Sequence, residues 1–152
     1  DLLQLILERR FEDVVSSTSR ALTRTRATNS LAGAYSLKRG GHLASLSVRI
    51  DDSTQYDTRT TGGIGYGYRL NADWRINASA GTSFRAPTFN ELYFGGYGVP
   101  SNRPERGRNG ETGLYFKNAA TSASLVYFHN RLTDLLVNQS PCPVGTRAEY
   151  HL

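Results

Sequence analysis

The side chains that most often carry catalysis are sparse in this sequence. The three histidines are His42, His129 and His151, and Cys142 is the one cysteine. None of these residues has the spacing of a metal site or of a nucleophile paired with a base. No Ser-His-Asp or Cys-His arrangement stands out. We therefore predict a protein that is not an enzyme and holds neither a metal nor a cofactor.

Two further clusters have simple structural explanations. Asp51, Asp52 and Asp57 could gather a hard cation, but their spacing matches no EF-hand, and solvated loop acids are the preferred interpretation. The glycine-rich run Gly63–Gly67 superficially resembles a phosphate-binding loop. It lies inside a strand pattern with no helix pattern after it, so we interpret its glycines as a way of freeing space beside a strand.

The aromatic side chains Tyr93, Phe94 and Tyr97 stand among glycines in a predicted loop. Loops on a rigid scaffold often carry binding, and Tyr and Phe offer large contact areas to a flat or apolar ligand. We predict that these three residues contact a ligand. The alternative is a membrane-interface girdle with a mobile loop.

The elements that would position these residues are strands, because apolar side chains recur at every second position. From Trp74 to Arg85, one face carries Trp74, Ile76, Ala78, Ala80, Thr82 and Phe84, and the other carries Arg75, Asn77, Ser79, Gly81, Ser83 and Arg85. Successive side chains of a strand point to opposite faces, so each strand has one apolar and one polar side. The pattern predicts an all-β, antiparallel up-and-down meander.

We predict about eight strands, at residues 2–12, 30–39, 42–51, 59–70, 74–85, 109–117, 121–136 and 147–152. Long connections at Ser16–Asn29, Ala86–Arg108 and Asn138–Thr146 alternate with tight turns such as Gly40-Gly41. Long loops at one end and short turns at the other are typical of a transmembrane β-barrel. Glu105 and Glu111 are expected to flank a turn at Arg106–Asn109 and to pair with neighbouring arginines.

The composition permits this interpretation. The chain has 152 residues, of which 38% are hydrophobic and 11% aromatic, and its formal net charge is +5. Its arginines are spread along strand-like segments rather than clustered, which argues against nucleic acid as a partner. The sequence starts inside a patterned segment, so we interpret residues 1–152 as a fragment of a longer protein.

Three ordered segments resemble a known family. They are Ala80–Tyr93 (AGTSFRAPTFNELY), Pro100–Glu105 followed by Glu111–Leu114, and Ser124–Leu136. They are similar to motifs late in the barrel of TonB-dependent outer-membrane receptors, and the upstream strands most resemble the vitamin B12 (cobalamin) receptor branch. Within these segments, the resemblance marks Arg85, Pro87, Glu91, Pro104 and Glu105 as structural motif residues.

The resemblance implies a bacterial outer-membrane location and energised import of a scarce ligand. The implied partners are membrane lipid, a small molecule (cobalamin or an iron chelate), and the TonB complex, which acts through a plug domain that this sequence does not contain. Pro87 cannot donate to a strand ladder, so strand pairing should stop beside it. Arg85 should lie on the luminal face near the outer end of its strand and pair with a carboxylate.

Three alternatives remain open at this point: a siderophore receptor, another outer-membrane barrel such as a porin, and a soluble β-sandwich that binds a ligand. An open sheet of about eight strands would expose two edges. We therefore expect the isolated chain to close into a smaller barrel or to self-associate through its edge strands.

Overall fold

The main feature of the structure is a seven-stranded antiparallel sheet whose strands follow one another in chain order. The structure is a computed structural model, which describes residues 1–16, 22–94, 98–138 and 150–151. The sheet strands are β1 Leu2–Ser16, β2 Leu22–Arg39, β3 His42–Ser53, β4 Arg59–Arg69, β5 Trp74–Arg85, β6 Glu105–Lys117 and β7 Ser122–Thr133. A short helix, α1, spans Phe89–Tyr93, and β8 Val137–Asn138 pairs with β9 Tyr150–His151. The predicted all-β meander is confirmed.

The strand register places the apolar side chains on one side of the sheet. Leu46 lies opposite Tyr35 on β2 and Ile64 on β4, and Ile76 lies opposite Tyr68 and Leu114. We call this side the apolar face. The opposite side, which we call the polar face, is marked by Arg49, Asn77, Arg85 and Glu105. Pairing across six strand boundaries keeps the two faces separate, because a slip of one residue would exchange them.

The apolar face is exposed. Leu46 is 58% exposed, Tyr66 46% and Ile76 39%. Among the described residues, the buried apolar side chains are Phe89, Leu92 and Leu136, none of which belongs to a strand of the main sheet. A soluble β-sandwich would bury one face of each sheet in a shared core. The exposure of this face therefore argues against the sandwich alternative.

Tight turns join the strands at one end of the sheet, which we call the turn end. Gly40 adopts a φ of 58° between β2 and β3, a conformation that suits glycine. Asn71 and Asn118 each stabilise another turn, because the side-chain Oδ1 accepts the backbone N–H groups two and three residues later, at 2.7 to 2.9 Å.

Aromatic rings gather on the apolar face near the turn end. The Trp74 and Phe116 ring centroids lie 4.9 Å apart, and those of His42 and Tyr68 lie 4.5 Å apart. The Nδ1 atom of His42 is 2.7 Å from the Tyr66 hydroxyl. Amphipathic rings at one level of a sheet are typical of a membrane interface.

Several predicted boundaries were wrong at the opposite end, which we call the loop end. Strand β1 continues to Ser16 and β2 already begins at Leu22, so the predicted long connection Ser16–Asn29 is largely strand. Residues 106–109, predicted as a turn, lie inside β6. The cause is the same in both cases: Arg and Thr occur on both faces there, so alternation is weak, while the ladder of cross-strand hydrogen bonds continues.

The last predicted strands also differ from the structure. Strand β7 ends at Thr133 rather than at residue 136, and the next residue, Asp134, adopts a φ of 57° that interrupts the extended backbone. Of the predicted strand 147–152, Tyr150 and His151 are described, and both are extended. No helix among the described residues is long and apolar enough to span a bilayer.

Candidate functional site

Helix α1 lies in the 86–104 connection at the loop end and begins with a capping box. The Glu91 N–H donates to Thr88 Oγ1 at 3.2 Å, and the Thr88 N–H donates to Glu91 Oε2 at 2.7 Å. Each residue thereby satisfies a donor that the helix backbone leaves free. The Thr-x-x-Glu spacing signals this helix in the sequence, although our strand-based prediction treated the whole segment as loop.

Arg85 joins the helix to the sheet. Its guanidinium donates to both Glu105 oxygens at 2.7 and 2.8 Å and to both Glu91 oxygens at 3.0 and 3.1 Å. The Glu91 and Glu105 side chains are only 12% and 13% exposed. Glu105 also accepts the Leu136 N–H at 2.8 Å, so one arginine and two carboxylates connect three segments. Glu105 was expected to pair with Arg103, Arg106 or Arg108, and its partner is Arg85 instead.

Burial raises the pKa of the Glu91 carboxyl, but hydrogen bonds from Arg85 and Thr88 lower it by more, and the net shift is below the ordinary value. These donors all favour the charged form. The carboxylate is therefore held ionised in the position where it caps α1 and pairs with Arg85.

A second arginine, Arg26 on β2, holds the same loop from the other side. It is 7% exposed, and it donates to both Glu12 oxygens at 2.6 and 3.1 Å. It also donates to the carbonyl oxygen of Pro87 at 3.0 Å, and its guanidinium lies 4.9 Å from the centroid of the Phe89 ring. Sequence reasoning missed this residue, because nothing near Arg26 in the sequence indicates a contact 61 residues away.

The motif prolines are buried beneath this loop. Strand β5 ends at Arg85, two residues before Pro87, so pairing stops where the sequence predicted. Pro87 is fully buried and Pro104 is buried immediately before β6. Leu92 of α1 is 1% exposed. These side chains pack the connection against the polar face and so determine where the following aromatic residues lie.

The predicted ligand contacts are placed differently from one another. The Tyr93 hydroxyl accepts a hydrogen bond from Gln55 Nε2 at 3.1 Å, and the Arg24 guanidinium lies 5.0 Å from its ring centroid. Phe94 is 54% exposed. Tyr97 lies outside the described residues. The structure brings Tyr93 against the sheet and leaves Phe94 open to solvent, and ligand contact by these three residues stays a prediction.

A recess of about 410 Å³ opens on the polar face beside the loop. Arg49 crosses it, donating to Glu8 at 3.0 Å and to Asp51 at 2.8 Å. The Tyr56 hydroxyl is buried with no hydrogen-bond partner among the described residues, and burial raises its pKa. The recess is thus lined by ion-paired charges and one hydroxyl that can still donate or accept a hydrogen bond.

The remaining candidates from the sequence are engaged in local contacts. Asp51 pairs with Arg49, Asp52 accepts the Thr58 hydroxyl at 3.0 Å, and Asp57 lies 3.6 Å from Arg59. Within the described part of the chain, no group of three or more His, Cys, Asp or Glu residues could hold a metal ion. The Gly63–Gly67 run lies inside β4.

Comparison with known proteins gives consistent results. The family described as TonB dependent receptor-like, beta-barrel matches residues 9–150. The vitamin B12 transporter BtuB of Photobacterium profundum is 33% identical over 90 residues, or 59% of this chain, and that of Vibrio vulnificus is 30% identical over 93 residues, or 61%. The chain spans about 15% of the length of each of these relatives.

Solved structures share the fold. The siderophore receptor PirA of Pseudomonas aeruginosa superimposes with a TM-score of 0.82 over 98% of this chain and 29% of its own, at 19% identity. A mutant of the ferric enterobactin receptor PfeA from the same organism gives 0.67 over 90% of this chain and 23% of its own, at 16% identity. Because the family match covers nearly the whole sequence, the chain belongs to the β-barrel of the TonB-dependent receptors, which are outer-membrane proteins of Gram-negative bacteria.

Proposed function

We propose that this chain forms part of the barrel wall of a receptor that imports a scarce small molecule across the outer membrane. The apolar face contacts lipid, and the polar face lines the lumen. The TonB complex drives transport through a plug domain of the complete receptor. The observation that carries the proposal is the loop of Pro87–Phe94, which Arg26 and Arg85 hold on the polar face at the loop end. Such a loop can meet a ligand that arrives from outside.

We propose cobalamin as the ligand. The support is the identity of about a third to relatives named vitamin B12 transporters. Tyr93, Phe94 and Tyr97 would supply flat aromatic contacts to the corrin ring. An iron chelate is the competing ligand, since the same aromatic residues suit either molecule and the siderophore receptors share the fold.

The test uses the complete receptor that carries this chain, expressed in a Gram-negative host that lacks its own cobalamin receptor. Labelled cyanocobalamin and a labelled ferric siderophore are offered separately at nanomolar concentration. We expect uptake of cobalamin that disappears when the host lacks TonB. Uptake of the siderophore alone would replace cobalamin by an iron chelate, and TonB-independent passage of both would contradict the importer proposal.

The aromatic contacts are tested in the same host. Substituting Tyr93→Ala and Phe94→Ala together should weaken ligand binding by on the order of 10- to 100-fold, as expected for losing two aromatic contacts. Phe11→Ala is the matched control, because Phe11 is 64% exposed on the apolar face. Equal losses in the control and the double variant would remove Tyr93 and Phe94 from the site.

The isolated chain gives a separate test of the barrel proposal. Strands β1 and β7 form the two ends of the described sheet, and each leaves one edge unpaired there. Refolded in detergent, the chain should associate through these edges or close on itself. Sedimentation in detergent would distinguish these outcomes from a monomeric open sheet, which would contradict the prediction.

A further inference from the structure

Three arginines interrupt the apolar face at the loop end of β6 and β7. The register puts Arg108 directly opposite Arg131, and Arg106 one step further out, opposite Thr133. These residues share the face of Leu114 and Leu125, since each lies an even number of residues from one of them. All three arginines are exposed. We call Arg106, Arg108 and Arg131 the arginine cluster.

Nothing within the described part of the chain neutralises the arginine cluster. None of its guanidinium groups makes an ion pair or a hydrogen bond there, in contrast to Arg26, Arg49 and Arg85 on the polar face. The cross-strand neighbours on β5 are Thr82 and Phe84, which carry no charge. Like charges directly opposite each other on paired strands destabilise a sheet. A cluster of this kind is expected where an anion comes from outside the chain.

The position of the cluster along the strands indicates where that anion would lie. Trp74 pairs with Phe116 at the turn end, and Thr82, eight residues later on β5, pairs with Arg108. Eight residues at ~3.4 Å each span about 27 Å along the strand. A tilt of roughly 40° reduces this to about 21 Å of depth, close to the ~25 Å height of the apolar band of such barrels. The cluster therefore lies at the level of the lipid headgroups on the loop side.

We propose that the arginine cluster binds the phosphate of an anionic lipid in the outer leaflet of the membrane. Guanidinium groups form paired, charge-assisted hydrogen bonds with phosphate oxygens. A recess of about 430 Å³ adjoins the cluster, lined in part by Thr82, Ser83, Phe84 and Thr133. The hydroxyl groups can donate to further phosphate oxygens, and Phe84 can contact the apolar part of the lipid. The site is independent of which molecule the receptor imports.

The experiment compares three probes on the complete receptor, purified in a non-ionic detergent: dioleoyl phosphatidic acid, dioleoyl phosphatidylcholine and inorganic phosphate. Native mass spectrometry and lipid titration measure what is retained. We expect phosphatidic acid to bind in preference to phosphatidylcholine, with an affinity that falls as salt is raised. Millimolar inorganic phosphate should not displace it, because the lipid also contacts Phe84. Equal retention of the two lipids, or displacement by inorganic phosphate, would overturn the proposal.

The variant R106Q/R108Q/R131Q should lose about fivefold in affinity for each arginine removed, on the order of 100-fold in total. The matched control R9Q/K38Q/R39Q removes three charges elsewhere and should bind phosphatidic acid like the unchanged receptor. Phosphatidic acid binding unaltered by the triple change at the cluster, or lost equally in the control, would contradict the assignment.

A single variant guards against a folding defect. R108Q removes the direct like-charge contact, so the lipid-free receptor should melt at an unchanged or slightly higher temperature, while its affinity for phosphatidic acid falls about fivefold. Lower thermal stability without lipid and unchanged affinity would mean that Arg108 supports the fold and not the lipid site.

Discussion

Arginines occur on both faces of the sheet at its loop end, but their surroundings differ. On the polar face, Arg26, Arg49 and Arg85 each contact at least one carboxylate at 3.0 Å or less. On the apolar face, Arg108 and Arg131 lie opposite each other, with no acidic partner among the described residues. A residue of the same type thus organises the protein on one face and is available to the membrane on the other. The difference arises from whether the residue number along the strand is odd or even.

The comparison makes a quantitative claim about stability: removal of a polar-face arginine should be costly, and removal of an apolar-face arginine should not. The four predictions that follow test this claim, from the largest expected effect to the smallest. All of them refer to the complete receptor in detergent, and the first three follow the docking of α1 through its backbone amides.

Arg26→Met should have the largest effect. It leaves Glu12 and the Pro87 carbonyl without their donor and removes the contact with Phe89. Breaking a buried pair by removing one partner costs about 3 kcal/mol or more. Hydrogen exchange of the Leu92 and Phe94 amides, which bond Thr88 and Asn90 within α1, should accelerate about 100-fold. Unchanged exchange would show that Arg26 does not hold the loop.

Loss of the Glu91 charge should come next. Its carboxylate accepts hydrogen bonds from Arg85 and Thr88, and such bonds to a charged group contribute about 2 kcal/mol. Because the folded pKa of Glu91 lies below its ordinary value of 4.5, its contribution is fully present above that value. The contribution disappears as pH falls through the lowered pKa.

Hydrogen exchange of α1, corrected for its intrinsic pH dependence, should therefore report weaker docking below about pH 4.5. The variant E91Q should be less docked at neutral pH and should lose most of this acid dependence. If E91Q keeps the full acid dependence, another carboxyl group is responsible.

Thr88→Ala should cost about 1 kcal/mol, the usual effect of losing a helix N-cap. The Glu91 N–H then loses its acceptor, while the pairing of Arg85 with Glu91 remains. The exchange of the α1 amides should rise about fivefold, and Thr88→Ser, which keeps the hydroxyl group, should restore slow exchange. Equal effects of alanine and serine would indicate lost packing of the threonine methyl group instead.

Arg131→Gln should have the smallest effect, within about 0.5 kcal/mol, which is typical of exposed positions. The thermal midpoint in neutral detergent should stay the same or rise slightly, because the charge opposite Arg108 is removed. A large drop would end the distinction between the two faces.

Much of the fold could be predicted from the sequence, because alternation of side chains along a strand is a local property. The apolar set that includes Leu46, Ile64 and Ile76 and the tight turn at Gly40-Gly41 are all apparent from neighbouring residues. The predictions failed where the local signal was weak, as at Leu22–Asn29, where hydrogen bonds to β1 maintain the strand. Helix α1 is too short to show a helical period.

The sequence by itself determined the class of the protein: alternating faces, tight turns and three ordered motifs indicate the wall of a TonB-dependent receptor. It also marked Arg85, Pro87 and Glu105 as motif residues. The tertiary structure decided which groups meet. Arg26 reaches Pro87 across 61 residues of sequence, and Arg108 lies opposite Arg131. The physical reason is that the direction of a side chain follows from its own strand, whereas its neighbours follow from the register between strands distant in the chain.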